Sequence, residues 1–172
     1  MYVSTPQNQI LALEAATGKL IWRYNRPLTD DLFQLHPTNR GVALYGDKVY
    51  MATVDAGVVA LDAKSGEVVW DVTVGDYTDG YYSTLSLMAA DGKIITGVSG
   101  GEFGIRGYVM ALDAETGAEA WKTFTIPGPG EPGHETWKGD SWKTGGGSVW
   151  MQPNYDVDTG ILYVGTGNGG PW

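Results

Sequence analysis

Short apolar stretches alternate with polar, glycine-containing turns along the chain, and one such unit occurs three times. It reads LALEAATGKLIW, VALDAKSGEVVW and MALDAETGAEAW, at Leu11–Trp22, Val59–Trp70 and Met110–Trp121. Each unit has an alternating segment, a Thr-Gly or Ser-Gly pair, and a second segment that ends in tryptophan. Alternation with period two is typical of a half-buried strand, and glycine permits the positive φ of a tight turn. Each unit is therefore predicted to be a β-hairpin.

Further strands are predicted outside these units, and helical periodicity is absent over any useful length. A strand is expected at Met1–Thr5, and turns at Asp47 and at Asp91-Gly92. A fourth unit begins near Ser148 and has a turn at 155–160. The other predicted strands are Val42–Leu44, Val49–Thr53, Lys93–Val98 and Ile161–Gly165.

The spacing of the three units predicts the architecture. Their closing tryptophans, Trp22, Trp70 and Trp121, lie 48 and 51 residues apart. A period near 50 residues accommodates four short strands and is typical of β-propeller blades. The tryptophans are expected to pack between neighbouring blades. The chain is predicted to be all-β, as roughly three and a half blades: one partial propeller domain over residues 1–172, incomplete at both ends.

Composition narrows the possible functions. Apolar residues make up 42% of the 172 and charged residues 18%, which indicates a folded chain. A net charge of −9 argues against nucleic acid as a partner, because phosphate binding needs clustered Lys and Arg. Cysteine is absent, so thiolate chemistry and disulfides are excluded in this stretch. No apolar run reaches the roughly 18 residues of a membrane span.

Three segments depart from the repeat and are candidates for chemistry. Ser99–Gly107 is glycine-rich and contains Glu102, whose hard oxygens suit a cation. The segment 135–150 has three tryptophans and three consecutive glycines, which suits either stacking of a planar ring or an aromatic cluster between blades. The segment 165–172 contains Asn168, a potential amide ligand or a plain Asn-Gly turn. His36 and His134 lack metal-type spacing and are interpreted as loop residues.

The three segments and the tryptophan units together resemble the PQQ-dependent (pyrroloquinoline quinone) methanol/ethanol dehydrogenase family. WKGDSWKTGGG followed by GTGNGGPW resembles the central signature of that family. The resemblance covers essentially the whole chain and implies an eight-bladed propeller. It also implies oxidation of a small primary alcohol to an aldehyde with PQQ and a calcium or lanthanide ion, in the periplasm, with cytochrome c as electron acceptor.

The resemblance implies roles for individual residues. Glu102 and Asn168 match the ligands of the ion, and Trp150 matches the floor beneath the PQQ ring. Arg40 matches an arginine that pairs with the acidic cofactor, for which a guanidinium fork is well suited. The other positions that match cofactor-binding residues are Thr84, Ser99, Gly100, Gly101 and Ser148.

Two departures from the family pattern limit what is carried over. Many members have adjacent cysteines over the cofactor, where this chain reads Phe33-Gln34-Leu35-His36-Pro37; Leu35 is a hypothetical substitute cover. The family's catalytic aspartate base lies downstream of the asparagine ligand, so no catalytic residue is predicted here and the chain alone is expected to be inactive. A PQQ-dependent sugar or polyol dehydrogenase and a non-catalytic protein-binding propeller remain alternatives.

Overall fold

The computed structural model describes residues 1–33 and 35–170, and these form thirteen antiparallel strands. Four short 3-10 turns, at Tyr77–Asp79, Gly101–Phe103, His134–Thr136 and Ser141–Thr144, are the helical segments within these residues, and none of them has the length or apolarity to cross a membrane. The strands are β1 Tyr2–Thr5, β2 Gln9–Leu13, β3 Leu20–Asn25, β4 Ala43–Tyr45, β5 Lys48–Thr53, β6 Gly57–Asp62, β7 Val68–Thr73, β8 Met88–Ala90, β9 Lys93–Gly97, β10 Tyr108–Asp113, β11 Glu119–Phe124, β12 Asn154–Asp156 and β13 Ile161–Tyr163.

The strands form four separate sheets in which chain neighbours pair. The sheets are β1-β2-β3, β4-β5-β6-β7, β8-β9-β10-β11 and β12-β13. This succession of four-stranded meanders, with partial sheets before and after, is part of a β-propeller, which confirms the predicted fold class. The predicted strands all form, with boundaries one or two residues from those expected. The last one ends at Tyr163 instead of Gly165, because its partner β12 is only three residues long.

The three tryptophan units form β-hairpins, as predicted. Each hairpin lies at one edge of its sheet. Gly18, Gly66 and Gly117 have φ values of 74°, 77° and 74° at the turns. In the second unit the Asp62 carboxylate accepts hydrogen bonds from the backbone N–H groups of residues 64 and 65, at 2.9 and 2.7 Å. Asp113 holds the third turn in the same way. The Asp-x-x-Thr/Ser-Gly pattern therefore builds a side-chain-closed turn.

Trp22 and Trp70 each join their own blade to the next. Trp22 Nε1 donates to the Ala63 carbonyl of the second blade at 3.1 Å, and Trp70 Nε1 donates to the Ala114 carbonyl of the third blade at 3.0 Å. The rings cover the turn glycines: a Cβ on Gly66 would lie 2.7 Å from the Trp22 ring, and one on Gly117 would lie 2.9 Å from the Trp70 ring. These glycines thus provide both a turn conformation and the space for a neighbouring ring.

The hydrophobic core lies between the blades. In β5 every residue is buried, because alternate side chains face different neighbours. Val49 and Met51 pack against Ile10 of the first blade. Tyr50 and Ala52 belong to the larger cluster shared with the third blade. This two-sided burial explains why the inner strands are nearly continuous apolar runs.

The aspartates of the turns predict a pH dependence of stability. Hydrogen bonds from Ser65 and Thr116, respectively, lower the pKa of Asp62 and Asp113 below their ordinary value of 3.8. A pKa lowered in the folded state stabilises the fold above the ordinary value, and this contribution is lost as the pH falls through the lowered pKa. We expect the melting temperature of the complete propeller to fall between about pH 5 and pH 2, measured by circular dichroism. The fall should be shallower in the double variant Asp62→Asn, Asp113→Asn than in the exposed-loop control Asp30→Asn; equal slopes would contradict this origin.

Candidate functional site

The three segments that depart from the repeat converge on one pocket of about 420 Å³. The pocket lies at the end of the blades where the chain enters the first strand of each sheet and leaves the second strand. Glu102 follows β9 and Asn168 follows β13, so the two come from equivalent places in adjacent sheets. The lining residues are His36, Arg40, Tyr82, Thr84, Ser99, Gly100, Glu102, Ser148, Trp150, Thr166, Gly167 and Asn168.

The two predicted ion ligands, Glu102 and Asn168, both line this pocket and are exposed. Glu102 belongs to the 3-10 turn after β9, and its Oε2 accepts a hydrogen bond from the Tyr82 hydroxyl at 3.4 Å. The backbone carbonyl of Asn168 accepts a hydrogen bond from the Gly147 N–H at 2.9 Å. This bond holds the backbone and does not involve the side-chain amide. Backbone pairing therefore places both side chains at the pocket.

A connected set of polar groups forms one wall of the pocket. Arg40 donates from Nη1 to the Thr84 carbonyl at 3.2 Å and also to the Thr84 hydroxyl. The Thr84 and Ser99 hydroxyls are 3.3 Å apart. Because Thr84 and Ser99 are each only 3% exposed, their hydroxyls are held in place by this network and not by solvent. The arrangement gives the pocket one cation and a row of oriented hydroxyls.

Trp150 lies at the pocket next to Arg40, whose Cζ is 5.0 Å from the centroid of the indole ring. Its side chain is 40% exposed, whereas the preceding Val149 is fully buried. The Gly167 N–H donates to the Ser148 carbonyl at 2.7 Å, and a Cβ on Gly167 would come within 3.3 Å of Trp150 Nε1. Glycine at this position therefore allows the third segment, 165–172, to approach Trp150 closely.

The other two tryptophans of the segment 135–150 lie elsewhere. Trp142 packs against Arg106 at 4.8 Å and against His134 at 5.8 Å, and the Trp137 ring covers Gly145. Of the three tryptophans, Trp150 lines the pocket, Trp142 packs in an aromatic and cationic group, and Trp137 packs on the backbone. The composition of the segment does not distinguish the three, and the motif resemblance alone selected Trp150.

The predicted glycines have different positions. Gly100 lines the pocket, but its φ of 115° and a backbone contact require glycine there, since a Cβ would lie 2.1 Å from the Gly80 carbonyl. Gly101 is buried and is not among the lining residues, and a Cβ there would meet the Ser148 hydroxyl at 3.3 Å. Close packing against neighbouring groups is enough to explain why glycine occupies both positions, whether or not a ligand also approaches them.

Sequence reasoning missed several residues of the pocket. His36, interpreted as a loop residue, lies in a loop that lines the pocket, and Leu35, the hypothetical cover, is not among the lining residues. Gln34 lies outside the described residues, as do Pro171 and Trp172 at the end of the third segment. Tyr82 and Thr166 also line the pocket; their closeness to Thr84 and Asn168 in the sequence was the available signal.

An aromatic pocket of about 310 Å³ adjoins the polar one, with Tyr82 in the wall of both. Phe103 lines it, with its ring centroid 5.8 Å from that of Phe33 and 6.1 Å from that of Tyr82. Gly80 makes room for this ring, because a Cβ there would lie 2.5 Å from Phe103 Cβ. The residue next to the predicted ion ligand thereby belongs to an aromatic group, and its own side chain is partly exposed.

Antiparallel blades joined by docked tryptophans, with a polar pocket at the strand ends, define a β-propeller domain with a candidate ligand pocket. Residues 1–171 match the family model described as the PQQ glucose/ethanol/alcohol dehydrogenase β-propeller domain. The chain belongs to this family, which confirms the resemblance inferred from the motifs.

Individual relatives agree with this membership. Over the whole chain, the sequence is 42% identical to quinohemoprotein alcohol dehydrogenase ADH IIB from Pseudomonas putida and 40% identical to quinoprotein alcohol dehydrogenase PedH from a strain of the same species. The chain covers 27% and 32% of these two relatives, so it spans roughly a quarter to a third of their length.

Solved structures show the same relationship. A europium-containing methanol dehydrogenase superposes with a TM-score of 0.92 at 32% identity, over the whole of this chain and 34% of that one. BamB from Moraxella catarrhalis has a TM-score of 0.65 at 22% identity, over 96% of this chain and 43% of that one, and shares the fold alone.

Proposed function

We propose that this chain forms part of the PQQ- and ion-binding site of a quinoprotein alcohol dehydrogenase. The observation that carries the proposal is that residues from five separate segments line a single pocket. It contains all but one of the residues that the motifs matched to cofactor or ion binding: Arg40, Thr84, Ser99, Gly100, Glu102, Ser148, Trp150 and Asn168. Gly101 is buried and is not among the lining residues.

The chemistry of the donor groups fits PQQ together with an ion. Among the described residues, no three His, Cys, Asp or Glu side chains are grouped as a metal site. Glu102 and Asn168 would provide hard oxygens, but calcium takes six to eight, so further oxygens must come from a bound ligand or from other parts of the protein. An acidic, carbonyl-bearing cofactor supplies such oxygens. The europium-containing relative makes a lanthanide a candidate as well as calcium.

The residues of the chain have distinct tasks in this proposal. Arg40 neutralises acidic groups of the cofactor, and Thr84, Ser99 and Ser148 orient it through hydrogen bonds. Trp150 provides a flat apolar face that excludes water from one side of a planar ring. When bound, PQQ provides the redox chemistry and the ion a Lewis acid. The base that takes the proton of the alcohol comes from outside this chain, so we expect the 172 residues alone to be inactive.

The substrate class is inferred from the names of the relatives, and the electron acceptor and the location are inferred from the family resemblance. The alcohol dehydrogenases among the relatives favour an alcohol over a sugar as substrate, and the motif resemblance favours a small primary alcohol. Cytochrome c as electron acceptor and the periplasm as location complete the proposal. A non-catalytic propeller is the less favoured alternative, because it has no need for a carboxylate, an arginine and an exposed tryptophan in one pocket.

Reconstitution of the complete propeller protein with PQQ tests the proposal. We expect quinone absorbance to be bound, and ethanol to be oxidised in an artificial-acceptor assay, only when calcium or a lanthanide is added. The apoprotein with PQQ but without an ion is the matched control. Oxidation of glucose without oxidation of ethanol would favour the sugar dehydrogenase, and failure to bind PQQ with any ion would favour the non-catalytic propeller.

A further inference from the structure

Tyr82 is the one side chain in the described residues that the structure records in hydrogen-bond contact with the Glu102 carboxylate. Its hydroxyl donates to Oε2 at 3.4 Å. This separation exceeds the usual value of about 2.7–2.8 Å for such bonds, so other contacts must determine where the hydroxyl points. Tyr82 is only 7% exposed, which indicates that its orientation is fixed by packing.

Backbone pairing fixes Tyr82 relative to the turn that carries Glu102. The Ser99 N–H donates to the Tyr82 carbonyl at 2.7 Å, in an isolated antiparallel bridge. Ser99 lies three residues before Glu102 and belongs to the same end of β9. The Tyr82 ring also meets Phe103, the residue after Glu102, at 6.1 Å. Tyr82 thus contacts both flanks of the turn and the carboxylate itself.

The hydroxyl of Tyr82 has one proton to donate, and the Glu102 carboxylate has two oxygens that can accept. A neutral phenol donates its single proton to one carboxylate oxygen, here Oε2. The other oxygen, Oε1, is left for a different partner.

We propose that Tyr82 is a positioning residue that orients the Glu102 carboxylate for ion binding. This inference rests on the proposed function, in which Glu102 is an ion ligand. Groups that hydrogen-bond to a metal-binding carboxylate restrict its rotamers and tune its affinity. Tyr82 performs this task through its hydroxyl, while its ring and backbone hold the turn in register.

The variant Tyr82→Phe tests this role in the complete propeller protein, because it removes the hydroxyl and retains the ring. The readout is the calcium or lanthanide concentration at which half of the protein acquires bound-PQQ absorbance. We expect this concentration to rise by roughly 10-fold. Excess ion should restore the full absorbance, because the pocket is otherwise intact.

Tyr81→Phe is the matched control. The Tyr81 hydroxyl donates to the Arg106 carbonyl at 3.3 Å, away from Glu102, so its removal should leave the ion concentration unchanged. The melting temperature of the ion-free protein, which we expect to be nearly equal in both variants, checks the fold. An unchanged ion requirement in Tyr82→Phe, or equal shifts in both variants, would overturn the positioning role. A failure of even the unaltered protein to bind PQQ with an ion would instead reject the proposed function.

Discussion

Replacement of Glu102 by alanine is expected to abolish ion-dependent PQQ binding in the complete propeller protein. Glu102 is the only carboxylate that lines the pocket within the described residues, so its loss removes the negative charge that attracts a hard cation. Loss of a residue that only supports a metal ligand costs about 10- to 100-fold in affinity, and loss of the ligand itself should exceed about 100-fold. The measurement is quinone absorbance after gel filtration with saturating ion.

Two further variants make this result specific. Glu102→Gln keeps the shape and one oxygen but removes the charge, and is expected to bind PQQ only at much higher ion concentration. Glu67→Ala removes an exposed glutamate from the turn before β7, far along the blade from the pocket, and should behave like the unaltered protein. Quinone absorbance retained at the unaltered level by Glu102→Ala would reject the assignment of Glu102 as a ligand.

Replacement of Trp70 by alanine is expected to lower the free energy of unfolding by about 3–5 kcal/mol. Trp70 is 9% exposed, covers Gly117 of the next blade and donates to the Ala114 carbonyl at 3.0 Å. Its removal leaves a cavity between two blades, and the Ala114 carbonyl keeps only the hydrogen bond from the Tyr50 hydroxyl at 3.1 Å. Denaturant unfolding of the complete propeller, followed by circular dichroism, measures the loss.

Neighbouring substitutions separate docking from general damage to the strand. Trp70→Phe keeps most of the apolar area and loses the hydrogen bond, so a smaller cost of about 1–3 kcal/mol is expected. Val69 precedes Trp70 on the same strand and is 47% exposed, so Val69→Ala should change stability by less than about 0.5 kcal/mol. Equal losses for Trp70→Ala and Val69→Ala would show that the tryptophan does not join the blades.

The fold was predictable because its determinants are local and repeated. The Asp-x-x-Thr/Ser-Gly turns require only hydrogen bonds within five residues, and glycine at Gly66 or Gly117 satisfies the positive φ of each turn. Alternation marks the strands, and the spacing of the tryptophans marks the blades. The strand boundaries differ by one or two residues, because pairing partners, and not propensity, determine where a strand ends.

The site was predictable only in part. Motif resemblance selected Glu102, Trp150 and Asn168, and the structure brings them to one pocket, although their roles remain predictions. Tyr82 and His36 carry no distinctive motif. They line the pocket because the chain passes it each time it enters a new blade. This arrangement is a property of the propeller and not of the local sequence.

By itself, the sequence determined the all-β class, the blade period, the turn chemistry and the absence of cysteine chemistry, since each depends on neighbouring residues. Only the tertiary structure decided which glycine is required by contact with Gly80 and which tyrosine reaches Glu102. These outcomes depend on distances between residues far apart in the chain. Such distances are set by the docking of one blade on the next, which no local pattern encodes.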